Sequence, residues 1–413
     1  MKLFHREDAM PLPTDFSIYD LGLLPGGTYA TPSAVNRNGD VVGVADTKPN
    51  LTSNAIAHAF LWERRTRKII DLHANFASPA FPGDSSRAAD INDFGWIVGS
   101  ASDSSGAEQA FLCKLSPAGF YLPFEALPVP FYSGRPHAGN ANAINNQGHV
   151  VGRTYEWTGT KLDGPACDAV LWQNGLIMML ARNGEPVSEA MDINEHGQVV
   201  GAFTDPGTTR QPFYWSAFTN GLVNLGSLGG GYGKAVSINN AGIVVGESSL
   251  QSDEVHGFTY AWSNALSPQS SGLMSDGGPA APNMSSFQDI SDNGETVGVV
   301  ELASTTHPFA ELGDAGGFFD LNALSNLDFR WQLLTGTAIS SNAEYIVGTG
   351  LFGGERRAWI IEVDRIGGGM PQDFMRPINF GGFAGGTTRT MGYYPHLVIP
   401  HIVDPVLGVF RGR

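Results

Sequence analysis

The sequence predicts an all-β fold: a seven-bladed β-propeller of four-stranded blades, closed by an N-terminal strand that completes the last blade. Three observations predict it. A phrase of the form A-x-x-I-N-x-x-G-x-V-V-G occurs seven times, at intervals near fifty residues. Each copy carries four short strand signals and no sustained helical period. The chain opens on an orphan copy of the fourth signal, and the seventh copy lacks a good one.

The repeat begins at Ala34-Val35-Asn36 and closes at Gly43. It returns at Asp90-Ile91-Asn92, Ala143-Ile144-Asn145, Asp192-Ile193-Asn194, Ser237-Ile238-Asn239, Asp289-Ile290-Ser291 and Ala338-Ile339-Ser340. The closing glycines, Gly43, Gly99, Gly152, Gly201, Gly246, Gly298 and Gly348, lie 56, 53, 49, 45, 52 and 50 residues apart. A period of this size over seven copies means a repeat architecture, in which each unit buries its apolar face against the next.

Within a copy, strand A ends in the Ile-Asn pair and strand B is the Val-Val-Gly run. Strand C is an H-A-F-L-W run, and strand D ends in Asp-Leu or Asn-Leu. The fourth copy shows all four: Met191-Asp192-Ile193, Gln198-Val199-Val200, Gln211-Pro212-Phe213-Tyr214-Trp215 and Leu222-Val223-Asn224-Leu225. These β-branched and aromatic runs are punctuated by Gly, Asn, Asp and Pro. The N-x-x-G between A and B supplies the positive φ that a tight hairpin needs. The seventh copy has Ala343 in place of that Gly, so Asn342 is expected to take the left-handed position.

Ring closure follows from the ends. Residues Ile18-Tyr19-Asp20-Leu21-Gly22 match Leu222-Val223-Asn224-Leu225-Gly226, so residues 16 to 22 are expected to pair with 357 to 363. A closed ring has no open sheet edge. The domain reading is an extension over 1–15, the propeller over 16–366, and a Gly/Pro-rich tail over 367–413. The tail is too apolar for a solvated linker and is expected to pack on the ring or over one mouth of the axial channel.

Composition bounds the partners. The chain has 24 basic and 40 acidic residues, a net charge of −16. That argues against nucleic acid and anionic membrane as partners and favours a cationic or neutral ligand. A small molecule, a glycan or a protein remains, and the oligomeric state is open. Cys113 and Cys167 read as two reduced, partly buried thiols. The first residues carry no secretory h-region, and no stretch is long enough to span a membrane. Location is left between the cytoplasm and a secreted form with its signal removed.

The phrases resemble the HAF repeat family. The triplet is complete at His58-Ala59-Phe60-Leu61-Trp62. It is partly kept at Gln109-Ala110-Phe111-Leu112, Asp168-Ala169-Val170-Leu171-Trp172, His256-Gly257-Phe258 and His307-Pro308-Phe309. The resemblance covers roughly residues 16 to 366. It implies an extracellular repeat protein and supplies no catalytic residues.

Candidate chemistry sits where strand A enters the ring, on the face of the D–A and B–C connections. The residue four before each Ile or Val is Thr31, Arg87, Asn140, Glu189, Lys234, Ser286 or Thr335. Neighbouring connections add Asp84, Arg135, His137 and Tyr232. Glu189, His137, Arg87 and Lys234 are the acid, base and anion-clamp candidates for catalysis. Arg87, His137, Asn140, Trp157, Glu189, Tyr232 and Lys234 are the ligand-binding candidates. The plain structural alternative is a Glu189–Lys234 salt bridge with solvated rim groups.

Other features point away from chemistry. His58, His256 and His307 occupy equivalent positions on different blades, so they cannot share a metal, and a repeated structural hydrogen bond is expected. His396 and His401 each follow a proline. No H-E-x-x-H, C-x-x-C, G-x-S-x-G, P-loop or EF-hand phrase is present, so no metal and no cofactor is expected. Gly229-Gly230-Gly231-Tyr232-Gly233 lies between strands and reads as a blade connection. Loop aromatics Trp157, Tyr155, Tyr232, Trp331 and Phe131 suit sugar stacking, whereas Trp62, Trp172 and Trp215 read as blade core. The absence of a catalytic phrase favours a binding module. The alternative is a metal-independent enzyme, such as a lyase, hydrolase or biosynthetic cyclase, at the same axial mouth.

Overall fold

The computed structural model describes residues 16–47, 56–130, 137–156, 167–181, 187–204, 209–219, 221–262, 272–277, 284–301, 309–314, 317–324 and 327–363. The expected N-terminal extension, the C-terminal tail, the long connections after Asp46 and Glu156, and Trp157, Phe131, Arg135, His307, His396 and His401 lie outside them. No described helix is long and apolar enough to cross a membrane.

Among the described residues the strands form seven four-stranded antiparallel sheets. Their inner strands are Ala30–Val35, Ser86–Ile91, His137–Ile144, Val187–Ile193, Gly229–Ile238, Met284–Ile290 and Trp331–Ile339. Each inner strand packs against the next, and the last returns to the first, so the sheets stand in a ring. We number them one to seven in chain order. This is a β-propeller.

Sheets one to six are each four consecutive strands; sheet seven is composite, with Phe16–Asp20 paired outside Glu355–Val363. Its register runs from Phe16 opposite Val363 to Asp20 opposite Trp359. The outer strands of sheets two and four shrink to two residues each, Glu125–Ala126 and Val223–Asn224. A five-residue helix, Leu72–Phe76, and a 3₁₀ turn, Leu321–Ala323, follow the outer strands of sheets one and six. Asp71 and Asp320 cap their N-termini with side-chain oxygens, the role short acidic residues fill there.

The core lies between sheets rather than within one. Leu21, Phe60, Trp62, Tyr345, Val347 and Ile360 meet between sheets one and seven. Val151, Leu171, Ile193, Phe213 and Trp215 meet between sheets three and four. A lone sheet could not bury these side chains, so each repeat depends on its neighbours.

Why each repeat ends in Gly follows from a bulge. The inner strands of all seven sheets shift register one or two residues before the Ile or Val, as between Ala190 and Asp192. The bulge pushes a carbonyl toward strand B. A Cβ on Gly201 would sit 2.0 Å from the Glu189 oxygen and 2.8 Å from the Phe213 ring. The same contacts recur at Gly43 with Phe60 and at Gly246 with Phe258. The Phe of the strand C motif therefore packs on the Gly of the strand B motif.

Four local readings change. Ala343 itself takes the left-handed position, with φ 56°, in place of Asn342. Gly229-Gly230-Gly231-Tyr232-Gly233 is not a connection but the start of the inner strand of sheet five. Trp331 is not in a loop: it opens the inner strand of sheet seven, buried against Phe352. Tyr155 lies in the strand Val150–Glu156. Both cysteines are free thiols, and burial pushes each up to about 12.

Candidate functional site

The inner strands enclose an axial cavity of about 510 Å³, lined by residues of all seven sheets. Its wall is layered. At the A–B turn end lies a belt of amides. Asn36 Nδ2 donates to the Asn92 oxygen, Asn92 to Asn145, Asn145 to Asn194, Asn194 to Asn239 and Asn239 to Ser291, all at 3.0–3.1 Å. Each Asn also accepts N–H groups of its own turn through Oδ1, as Asn145 does from Gln147 and His149. This is what the Asn of the Ile-Asn pair does. Ser291 and Ser340 accept in the turn but are too short to span, and Asp292 N–H donates to the Ser341 oxygen instead.

The layer beneath holds Ala34, Asp90, Ala143, Asp192, Ser237, Asp289 and Ala338. Carboxylates thus occupy sheets two, four and six. Each accepts the N–H of the following Ile and the N–H of the Ile in the next sheet: Ile144 for Asp90, Ile238 for Asp192, Ile339 for Asp289. Burial, with the charge of Asp192 adding, pushes Asp90 and Asp289 up to about 7. Burial also raises Asp192. This layer was missed in reading the sequence, although its signal was present in the residue before each Ile or Val.

The predicted ring at the D–A end is built otherwise than expected. Arg87 lines the cavity. Its guanidinium reaches Ser100 Oγ at 3.1 Å and Glu108 Oε2 at 3.1 Å. Asn140 Nδ2 donates to the same Glu108 oxygen, and Arg153 Nε donates to Asn140 Oδ1 at 3.3 Å. Arg153 and Arg210 flank Glu189 at 3.5 and 2.9 Å. Arg87, Asn140 and Glu189 are thereby joined in one polar chain across sheets two to four. Burial alone would raise Glu189, but the two guanidiniums outweigh it and hold the carboxyl below its ordinary value.

Lys234 and Tyr232 form a second group in sheet five. Lys234 Nζ lies 3.3 Å from Glu247, and Tyr232 donates to the same carboxylate at 2.7 Å. Ser286 Oγ donates to its other oxygen at 2.7 Å. Burial would raise Glu247, but Lys234 and these hydroxyls hold it low. The anticipated Glu189–Lys234 pair is therefore corrected: each chose a partner on strand B or C, because those side chains are nearer than the next inner strand. His137 begins an inner strand, and nothing further is described of its side chain. Trp157 lies outside the described residues.

The described strand C histidines, His58 and His256, bond within their own sheet. His58 Nδ1 lies 2.8 Å from Asp71 and His256 Nδ1 2.9 Å from Asp276, both carboxylates on strand D. Among the described residues no group of three or more His, Cys, Asp or Glu is placed to hold a metal.

No family model matches the chain, and no curated protein matches it in sequence. The HAF resemblance thus rests on the quoted residues alone. Solved structures are similar in fold. An oligogalacturonate lyase from Vibrio parahaemolyticus aligns over 85% of this chain and 97% of its own, at 12% identity and a TM-score of 0.46. The Dos1 propeller aligns over 83% of this chain and 93% of its own, at 10% identity and TM-score 0.44. Trypanosoma rangeli sialidase aligns over 84% of this chain but only 59% of its own length, at 12% identity and TM-score 0.41. These alignments are too loose to carry an argument about this chain, whose β-propeller rests on its own ring of sheets.

Proposed function

We propose that the chain is a ligand-binding propeller whose site lies at the axis and takes a small cationic or neutral polar molecule. One observation carries this reading. The axial cavity has the size of a small-molecule site, and it reaches Arg87, the first link of a fixed polar chain that includes Asn140 and Glu189. Side chains already locked by partners cost little to order when a ligand arrives. Asp90, Asp192 and Asp289 in the wall favour positive or hydrogen-rich groups. Tyr232 and Lys234, gathered on Glu247, are further contributors to the proposed site, as are His137 and Trp157 on the sequence reading.

The test is a calorimetric and thermal-shift screen of small cationic, neutral and anionic compounds against the wild type and Arg87→Ala. A neutral ligand that stabilises the wild type should lose at least tenfold affinity in the variant, whereas a cationic one should bind it as well or better. A neutral ligand bound undiminished by Arg87→Ala, or a cationic one weakened by it, would remove the site from the axis. Glu189→Ala is the poorer probe, because it strands two guanidiniums and lowers stability as well.

A second reading has its own observation. Asp90 and Asp289 titrate near neutrality inside the cavity, where a general acid or base must be poised. A metal-independent enzyme would show turnover with a bell-shaped pH profile that Asp289→Asn abolishes.

A further inference from the structure

Ser237 is the one hydroxyl in a layer otherwise made of aspartates and alanines. Its Oγ lies 2.9 Å from Asp192 Oδ2 and 2.8 Å from Asp289 Oδ1. A hydroxyl owns one proton and can donate to one of these oxygens only. If both carboxyls are ionised, the other contact is two lone pairs facing each other in an enclosed channel. Both contacts are satisfied when one carboxyl carries a proton and donates it to Ser237, while Ser237 donates to the other.

We propose that Asp192, Ser237 and Asp289 hold one proton in common and form a proton-binding relay in the channel wall. Below its titration step the trio carries one negative charge. Above it the proton leaves to solvent, the trio carries two, and Ser237 serves a single carboxylate. The relay rests on the channel geometry and not on the ligand reading.

The surroundings agree. The main-chain N–H groups of Ile193, Ile238, Ile290 and Ile339 donate one to each oxygen of the two carboxyls, and Ser237 lies between them. Charges facing the trio from neighbouring inner strands and turns are Asp90, Asp93, Glu195 and Asp292, all negative. Among the described lining residues the one cation is Arg87, which is engaged by Glu108. The strand A cation of sheet five, Lys234, is held by Glu247. The main-chain N–H donors favour the ionised forms, but burial outweighs them and raises both carboxyls. The gap between Asp90 and Asp192 holds Ala143, so no such bridge exists there.

The sign of the pH effect follows. A carboxyl whose folded pKa is raised binds more protons folded than unfolded. Its contribution is complete below the unfolded value near 4 and is lost as pH rises through about 7.

The experiment is a carbon-13 carboxyl titration of aspartate-labelled protein from pH 4 to 9, for wild type, Ser237→Ala and Ser237→Thr. The wild type should show two coupled steps, the upper near neutrality. Ser237→Ala removes the bridge that stabilises the singly protonated state, so the upper step should fall by about one unit or more. Alanine is native at this position in three sheets, so folding is expected to survive. Ser237→Thr keeps the hydroxyl and should keep the upper step. Two wild-type carboxyls that both ionise below pH 5, or an upper step unmoved or raised in Ser237→Ala, would overturn the proposal. Should Ser237→Ala not fold, the wild-type and Ser237→Thr titrations decide alone.

Discussion

Asn36 Nδ2 donates to the main-chain oxygen of Asn92 at 3.1 Å, tying one repeat to the next across 56 residues of sequence. The residue is 3% exposed, and so is Asn145, which makes the same link to Asn194. One side chain thus shapes its own hairpin and stitches two sheets. Neither a hydroxyl nor a carboxylate can do both, since the first is too short and the second has no proton to give.

Asn145→Ala should therefore destabilise the ring by on the order of 3 kcal/mol, because it strands a buried carbonyl and two turn N–H groups. Thermal unfolding read by circular dichroism checks this. A loss below about 0.5 kcal/mol would mean that water replaces the amide.

Gly201→Ala should cost more than about 3 kcal/mol, since its Cβ would overlap the Glu189 carbonyl. Pairing it with Phe213→Leu should not rescue it, because the closer clash is with backbone. Denaturant melts of the single and double variants separate the two causes.

Ala343→Gly should stabilise the protein by up to about 1 kcal/mol. Ala343 sits at φ 56°, where a Cβ is strained and Gly is not. The gain is limited because its methyl is buried in the core between sheets six and seven. A lower melting temperature would show that the methyl contacts outweigh the strain.

Glu189→Gln should flatten the acid limb of the stability curve. The Glu189 carboxyl is held below its ordinary value, so its contribution is present above about pH 4.5 and is lost as pH falls through the lowered value. At pH 7 the variant should lose about 2 kcal/mol, less than a fully buried pair, since both guanidiniums reach solvent. Melts at pH 3, 5 and 7 decide it.

Removing Phe16–Asp20 should expose the edge of Glu355–Val363 and break the Arg357–Asp20 pair at 3.2 Å. Such an edge recruits another strand. Light scattering after size exclusion should report dimers or larger species, and a stable monomer would show that the ring closes without this strand.

Much of the scaffold was legible because its causes are local. Alternating apolar residues, N-x-x-G turns and the fifty-residue period place each strand within a few residues, and the matching sequence at the start locates the closing strand. The left-handed residue at Ala343 was misplaced because the turn geometry fixes φ by position, whatever residue stands there.

The sequence by itself determined which segments become strands, that they repeat, and which residues form the buried face. Only the tertiary structure decided who meets whom across sheets. Asp90, Asp192 and Asp289 converge on one axis because a bulge in each inner strand turns them inward. Glu189 pairs with Arg153 and Arg210 because strands B and C stand closer to it than Lys234 does. Such contacts join residues on different strands and different sheets, and their reach is set by sheet twist and bulge position, which no single repeat encodes.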